Sequence, residues 1–286
     1  MKALVIGFGS IGSQHVAQLE NRGIDYHTVS KHLDRKGNYQ SLGLVDDLTM
    51  YSHIFICNET SLHYDTYKQL CDSSFKGLIF IEKPTHFPPG AHVRENVYVG
   101  YDLRFSPVLN YVHQNLESLG NIYYVNAYCG QHLSQWRDRD YKESYSSSVR
   151  SGGGVVNDLS HEIDYLQLLF DKLSPEYCSL TNEFLDIDTE SLAHIVFKTG
   201  GASVNCTLNY LDIYPSRIFD IRGTKGFIAG DFIANTVCHN NLVLDFPVKE
   251  LIKELHDDIW GGLEIVATLD ESLIVDKLIG KLYEIA

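Results

Sequence analysis

The first hundred residues alternate short apolar runs with longer stretches of mixed character. Residues 2–6 form one such run, and strand-like runs recur at 25–30, 53–57, 78–81 and 96–99. Between them, 14–22 and 63–71 carry the spacing of helices, and Gly23 follows the first of these as a residue suited to a C-cap. Strands alternating with helices predict an α/β arrangement, a doubly wound parallel sheet.

After about residue 100 the pattern changes. A helix is expected over 107–119, a strand over 122–128, then a polar, tyrosine-rich loop to about 151. A glycine triplet, Gly152-Gly153-Gly154, opens a helix expected over 155–170. From Tyr177 onward strands dominate, and the segment Ala202 to Tyr210 alternates apolar with polar residues, the period of a strand packed on one face. The second half therefore reads as an α+β domain with a largely antiparallel open sheet. The boundary is placed near Gly100, giving a dinucleotide-binding domain, 1–100, and a domain for substrate and subunit contacts, 101–286.

Composition narrows the functional classes. A chain of 286 residues with 44% hydrophobic content can bury two modest cores. No run approaches the ~18 apolar residues of a membrane span, and the opening run is too short for a secretion signal, so a cytoplasmic location is expected. Six cysteines without a C-x-x-C pair suggest reduced thiols and no metal site. With 23 basic and 37 acidic side chains the net charge is −14, which argues against nucleic acid or an anionic membrane as partner.

Candidate chemistry begins at Gly7-Phe8-Gly9-Ser10-Ile11-Gly12. The G-x-G-x-x-G spacing sits between a strand and a helix, where glycines let the backbone approach a pyrophosphate at the helix amino terminus. A plain tight turn is the alternative. The second strand ends at Val29-Ser30-Lys31-His32 without the acid that grips an NAD ribose, and Arg35 follows. A hydroxyl and cations suit the 2′-phosphate of NADP, which is favoured over NAD; the alternative makes Lys31 and Arg35 solvated surface charges, with Asp34 turned inward. In Asn58-Glu59-Thr60-Ser61-Leu62-His63, Asn58 and Thr60 either bond the nicotinamide end of a cofactor or cap the helix that starts there. Glu82-Lys83-Pro84 closes the run Leu78-Ile79-Phe80-Ile81, which places a lysine at the carboxyl end of a buried strand.

In the second half, Asp158 and His161 stand three residues apart after the triplet, near one another on one side of a helix, as a carboxylate orienting a general base. Glu162 is the alternative inward residue, and Tyr165 stands where an H-E-x-x-H zinc motif needs its second histidine. Tyr101 and Arg104 lie at the expected domain junction. Trp136, Arg137, Tyr141, Lys142 and Tyr145 supply aromatic faces, hydroxyls and cations suited to a sugar bearing a phosphate or carboxylate, with a plain surface loop as the alternative.

Taken in order, the glycine turn with His15 three residues on, N-x-T-x-x-H, E-K-P, G-Y-D-L-R-F-x-P, the W-R loop and G-G-G-x-x-x-D-L-S-H-E-I-D resemble the glucose-fructose oxidoreductase / inositol dehydrogenase / rhizopine-catabolism family (Gfo/Idh/MocA). The resemblance covers nearly the whole chain. It implies an amino-terminal Rossmann domain, a second domain whose open sheet makes homodimer or homotetramer contacts, and reversible oxidation of a sugar, nucleotide sugar or polyol hydroxyl with NADP or NAD. Lys83 would be the catalytic lysine, with Pro84 after a cis peptide bond, and Asp158 the catalytic-site aspartate with His161 as its partner. Many members place that histidine four residues after the aspartate; here the interval is three and Glu162 fills the fourth place. Glu59 stands where proline is common, and Asp102 where asparagine is.

The cofactor contacts expected are Gly7, Gly9, Ser10, Ile11 and Gly12 in the turn, Ser30 and Lys31 after the second strand, and Asn58, Thr60, His63, Glu82 and Lys83 beyond. Substrate contacts are expected from Tyr101, Arg104, Trp136, Arg137, Tyr141 and Tyr145, with Asp158 and His161. Two rival readings stand beside the sugar dehydrogenase: a reductase of another small carbonyl or imine, and a non-catalytic dinucleotide-sensing regulator.

Overall fold

The computed structural model describes residues 1–136 and 140–286, so the expected contact Arg137 lies outside the described residues. The chain forms two compact units, Met1–Asp102 with Ile252–Leu273, and Leu103–Leu251 with Ile274–Ala286.

The first unit runs β1 (Lys2–Ile6), α1 (Ser10–Asn21), β2 (Asp25–Val29), β3 (Asn38–Tyr39), β4 (His53–Ile56), α2 (His63–Cys71), β5 (Leu78–Ile81) and β6 (Val97–Val99). Arg22 caps α1 and Gly23 follows at φ +63°, the left-handed conformation that glycine adopts without cost. The central strands β1, β4 and β5 are nearly wholly apolar and buried, as strands covered on both faces must be. With β15 (Ala267–Thr268) from late in the chain, the sheet order is β15-β6-β5-β4-β1-β2-β3, parallel except at the β15 edge.

In the second unit come α3 (Pro107–Asn115), β7 (Ile122–Gly130), α4 (Val155–Asp158), α5 (His161–Phe170) and β8 (Ser174–Thr181). Then follow β9 (Leu192–Thr199), β10 (Ala202–Asn209), β11 (Ser216–Gly223), β12 (Gly226–Asp231), β13 (Thr236–His239) and β14 (Leu242–Asp245). They make an eight-stranded sheet of order β14-β13-β12-β11-β7-β10-β9-β8, antiparallel throughout except for β7 beside β10. The period-2 pattern of 202–210 is explained by β10, whose alternate residues Ala202, Val204, Cys206 and Leu208 are buried.

Two features differ from the sequence reading. The helix expected over 155–170 is broken: α4 ends at Asp158, Leu159 leaves helical geometry at ψ +29°, and α5 restarts at His161. The chain also returns to the first unit late, through α6 (Leu251–Gly261) and β15 (Ala267–Thr268), before α7 (Leu269–Ile285) ends it. Ile252, Leu255, His256 and Ile259 form the buried stripe of α6, and β15 pairs antiparallel with β6 through Ala267 and Val99. A single cut at residue 100 omits this return, because the two-residue strand β15 carries no periodic signal.

Candidate functional site

Parallel register decides what meets at the carboxyl edge of the first sheet. Ile6 pairs with Ile56 and Ile56 with Ile81, so the three adjacent strands end level. The glycine turn, the Asn58 loop and Glu82-Lys83-Pro84 therefore emerge side by side, the place where open α/β sheets bind ligands.

Each glycine of the turn has its own reason. Gly7 is at φ +95°, and an added Cβ would lie 2.5 Å from the backbone of Cys57 and Asn58. At Gly12 it would lie 2.2 Å from the Gly7 carbonyl oxygen, so α1 and the turn close on each other. Around Gly9 nothing lies within 4 Å. Gly9 and Ser10 are exposed, Ile11 is half-buried, and no side chain caps the helix that starts there. The first-turn N–H groups of α1 thus face open space, which fits a pyrophosphate.

Ser30 and Lys31 follow β2, Lys31 exposed and Ser30 fixed by its N–H to the Tyr39 carbonyl at 2.9 Å. The Arg35 guanidinium lies 4.7 Å from the Tyr26 ring centroid and 5.7 Å from that of Phe8 in the glycine turn. Asn58 Nδ2 donates to Thr66 Oγ1 at 2.9 Å, and its Oδ1 is buried without a partner among the described residues. An orphaned buried acceptor at this edge fits the carboxamide of a nicotinamide. Thr60 is buried, and no side chain caps the helical turn it opens or α2 after it.

His63 and Glu82, both expected on the cofactor, serve the frame instead. The His63 ring stands between the carbonyls of Pro84, 2.9 Å from Nδ1, and Asn58, 3.1 Å from Nε2, and so ties together the two loops that carry Asn58 and Lys83. Burial lowers its proton affinity. The Glu82 carboxylate turns inward and accepts from His15 Nε2 at 2.8 Å, and His15 Nδ1 faces His256 Nε2 of α6 at 2.8 Å. Burial pushes His256 down to about 2, so it is neutral. Gly100 is the size this demands, since a Cβ there would lie 2.8 Å from Glu82 Oε1. Lys83 itself is half-buried, and its peptide bond to Pro84 is cis. Tyr101 is fully buried and offers no face to a ligand.

In the second unit Asp158 is 4% exposed. Its Oδ1 accepts from Tyr145 Oη at 2.8 Å and its Oδ2 from Tyr210 Oη at 2.6 Å. The Trp136 ring meets Tyr210 edge-on at 5.4 Å. Of the two alternatives, Glu162 is fully buried and accepts from Arg217 Nε at 2.6 Å and Nη2 at 3.0 Å, whereas His161 is half-buried at the start of α5. The break before His161 removes the single helical face expected to carry it with Asp158.

Arg104, expected on an anionic substrate, forms a buried bidentate pair with Asp164, Nε to Oδ2 at 2.9 Å and Nη2 to Oδ1 at 2.7 Å. Its charge is neutralised inside the fold. Lys142 pairs with exposed Asp186 at 2.5 Å. Tyr141 is half-buried, and its carbonyl accepts the Ser144 N–H at 3.1 Å. No cluster of metal-ligating side chains occurs among the described residues, and no helix there is long and apolar enough to cross a membrane.

Comparison with known proteins places this geometry. Residues 115–229 match the family model of the GFO/IDH/MocA C-terminal domain. An oxidoreductase from Thermotoga maritima superposes with a TM-score of 0.84 at 14% identity, over 100% of this chain and 96% of that one. The WlbA dehydrogenase from Bordetella pertussis, solved with NADH and UDP-GlcNAcA, gives 0.78 at 17% identity over 99% and 95%. A myo-inositol dehydrogenase from Corynebacterium glutamicum gives 0.71 at 16% over 100% and 96%. Sequence search of curated proteins gives no match.

Proposed function

Because the chain belongs to the Gfo/Idh/MocA family, we propose that it is an NAD(P)-dependent oxidoreductase moving hydride between a nicotinamide and the hydroxyl-bearing carbon of a sugar. The observation that carries this reading is the carboxyl edge of the first sheet. There an open, uncapped glycine turn, the orphaned Asn58 acceptor and Lys83 leave three strands that end level.

Bound there, the nicotinamide supplies a hydride acceptor or donor. The chain's own groups do the rest. N–H groups of Ser10, Ile11 and Gly12 hold the pyrophosphate, and Asn58 Oδ1 accepts from the carboxamide. The Lys83 amine hydrogen-bonds the substrate oxygen and takes the hydroxyl proton. Positioning of the reactants contributes much of the acceleration. NADP is the favoured form, because exposed Lys31 and the Arg35 guanidinium beside Phe8 suit a 2′-phosphate and no carboxylate ends β2.

A nucleotide-linked sugar is the substrate class the relatives support: WlbA was solved with a UDP-sugar, and a UDP-N-acetylglucosamine 3-dehydrogenase of Acidithiobacillus ferrooxidans shares the fold at a TM-score of 0.75 and 16% identity. We also propose a homo-oligomer through the open sheet, whose face away from the core carries Tyr124, Tyr128 and Ile218, with Val196 paired to Tyr177. Light scattering reads this, and a monomer at micromolar concentration contradicts it.

The decisive experiment titrates NADP+ and NAD+ calorimetrically into wild type and Lys83→Ala, then assays UDP-N-acetylglucosamine and related sugars. NADP+ should bind the tighter, and the variant should lose roughly 10²-fold or more in kcat with nucleotide affinity within about threefold. A wild-type chain that binds neither nucleotide sinks the reading.

A further inference from the structure

Asn58 is held at three points, all within the first unit. Its backbone presses on the glycine turn, where a Cβ added to Gly7 would lie 2.5 Å from the Asn58 nitrogen. Its carbonyl lies 3.1 Å from His63 Nε2, and its Nδ2 donates to Thr66 Oγ1 at 2.9 Å. His63 and Thr66 stand three residues apart on α2 and so share one side of that helix, at 1% and 7% exposure. What remains is Asn58 Oδ1, buried and without a partner among the described residues. Threonine is a poor helix former, and burying its hydroxyl gains nothing unless that hydroxyl has a partner. Here the partner is Asn58.

We propose that Thr66 determines specificity for the cofactor's pyridine ring: its hydroxyl holds the Asn58 amide with Oδ1 toward the ligand, so the site selects a ring whose carboxamide donates an N–H. This deepens the nicotinamide reading and rests on it. The two ends of a primary amide match in shape and differ in sign, one offering two donors and the other only lone pairs. The partner of one end therefore decides what the other end presents. With Nδ2 engaged by Thr66, the ligand meets an acceptor. Without the hydroxyl, the amide is free to turn over and offer its NH2 group instead. A buried acceptor left unmatched is costly, so a ring substituent that cannot donate is penalised. Thr66 acts through Asn58 and is a positioning residue.

Calorimetry on wild type, Thr66→Val, Thr66→Ala, Thr66→Ser and Asn58→Ala tests this with three ligands. They are NADP+, its 3-acetylpyridine analogue, in which a methyl ketone replaces the carboxamide, and 2′-phospho-ADP-ribose, which has no pyridine ring. Should wild type prefer NAD+, the corresponding NAD+ series takes the same measurements. Wild type should bind NADP+ roughly tenfold or more tighter than the analogue. Thr66→Val, of nearly the same shape, should bring that ratio within about threefold, as should Asn58→Ala, while Thr66→Ser keeps the hydroxyl and the wild-type ratio. Thr66→Ala repeats the loss of the hydroxyl with a better helix former. Affinity for 2′-phospho-ADP-ribose should stay within about twofold throughout, because a merely structural role for Thr66 would move it as well.

A wild-type chain that binds the analogue as tightly as NADP+ overturns the assignment, since the amide then presents its other end. Hydroxyl-free variants that keep the wild-type ratio overturn it too, as does equal loss of NADP+ and 2′-phospho-ADP-ribose, or a Thr66→Ser chain that behaves like Thr66→Val. Each of these leaves the dehydrogenase reading standing. A wild-type chain that binds neither NADP+ nor NAD+ overturns that reading and the role of Thr66 together.

Discussion

Two glycine-rich turns look alike in the sequence and do opposite things. In the first, Gly7 and Gly12 are pressed against backbone while Gly9 opens onto empty space. In the second, a Cβ on Gly153 would lie 2.3 Å from the Tyr145 carbonyl oxygen and 2.5 Å from that of Ser146. Gly154, at φ +114°, would meet Glu190 Oε1 at 2.4 Å. The first turn leaves room for a ligand; the second is filled by the protein itself. Its glycines let the Tyr145 segment and Glu190 close on α4, which sets the phenol against Asp158. A glycine run therefore signals close approach without saying what approaches.

The largest effect that separates the two turns is on stability. Gly153→Ala should destabilise the chain by about 3 kcal/mol, because backbone oxygens on a fixed turn cannot yield to a methyl group. Urea unfolding measures it, and nucleotide affinity of the folded fraction should stay unchanged. Gly9→Ala should do the reverse. Unfolding free energy should shift by no more than about 0.5 kcal/mol, while the dissociation constant for NADP+ rises roughly tenfold or more as the methyl group enters the ligand's space. Equal effects of the two substitutions on both measurements would erase the distinction.

Acid sharpens the contrast with a smaller effect. In the unit that carries the first turn, burial holds His256 down at about 2 and His53 down at about 4, against 6.5 in the unfolded chain. Folded-state stability from these neutral rings is complete above about pH 6.5 and is lost as pH falls toward the folded values. Beside the second turn, burial raises Glu190, whose folded form binds its proton first, so acid relieves that turn. Each proton of difference contributes a slope of about 1.4 kcal/mol per pH unit. Urea unfolding between pH 7 and 4.5 should therefore show a shallower loss in His256→Leu than in wild type, and a steeper one in Glu190→Gln.

The sequence carried the fold well wherever order is local. The strand β5 and the helix α2 fall within the expected bounds, and the G-x-G-x-x-G turn lies between a strand and a helix as read. What escaped was long-range. His256 meets His15 across 241 positions, and Arg104 meets Asp164 across 60, so neither partner is visible in a periodicity. Arg104 looked like a cation for a substrate because its counter-charge stood too far along the chain to be counted. The pairing of Asp158 with two tyrosines escaped for the same reason: Tyr210 lies 52 residues on, at the end of a strand read only for its alternation. Tyr145 was legible as a candidate sugar contact, but its hydrogen bond to Asp158 depends on how Gly153 lets two backbones touch.

The late return of α6 and β15 has a consequence for biosynthesis. Residues Ile252–Leu273 complete a unit that begins at Met1, so the nucleotide-facing half cannot finish folding when residue 102 leaves the ribosome. It waits while residues 103–251 of the second unit are translated, roughly ten to thirty seconds at elongation rates of ~5–20 residues per second. Until then the edge of β6 is bare and the apolar stripe that α6 covers faces solvent, which makes the nascent chain a client for holding chaperones and makes any stop codon before residue 273 more damaging to the half that was synthesised first.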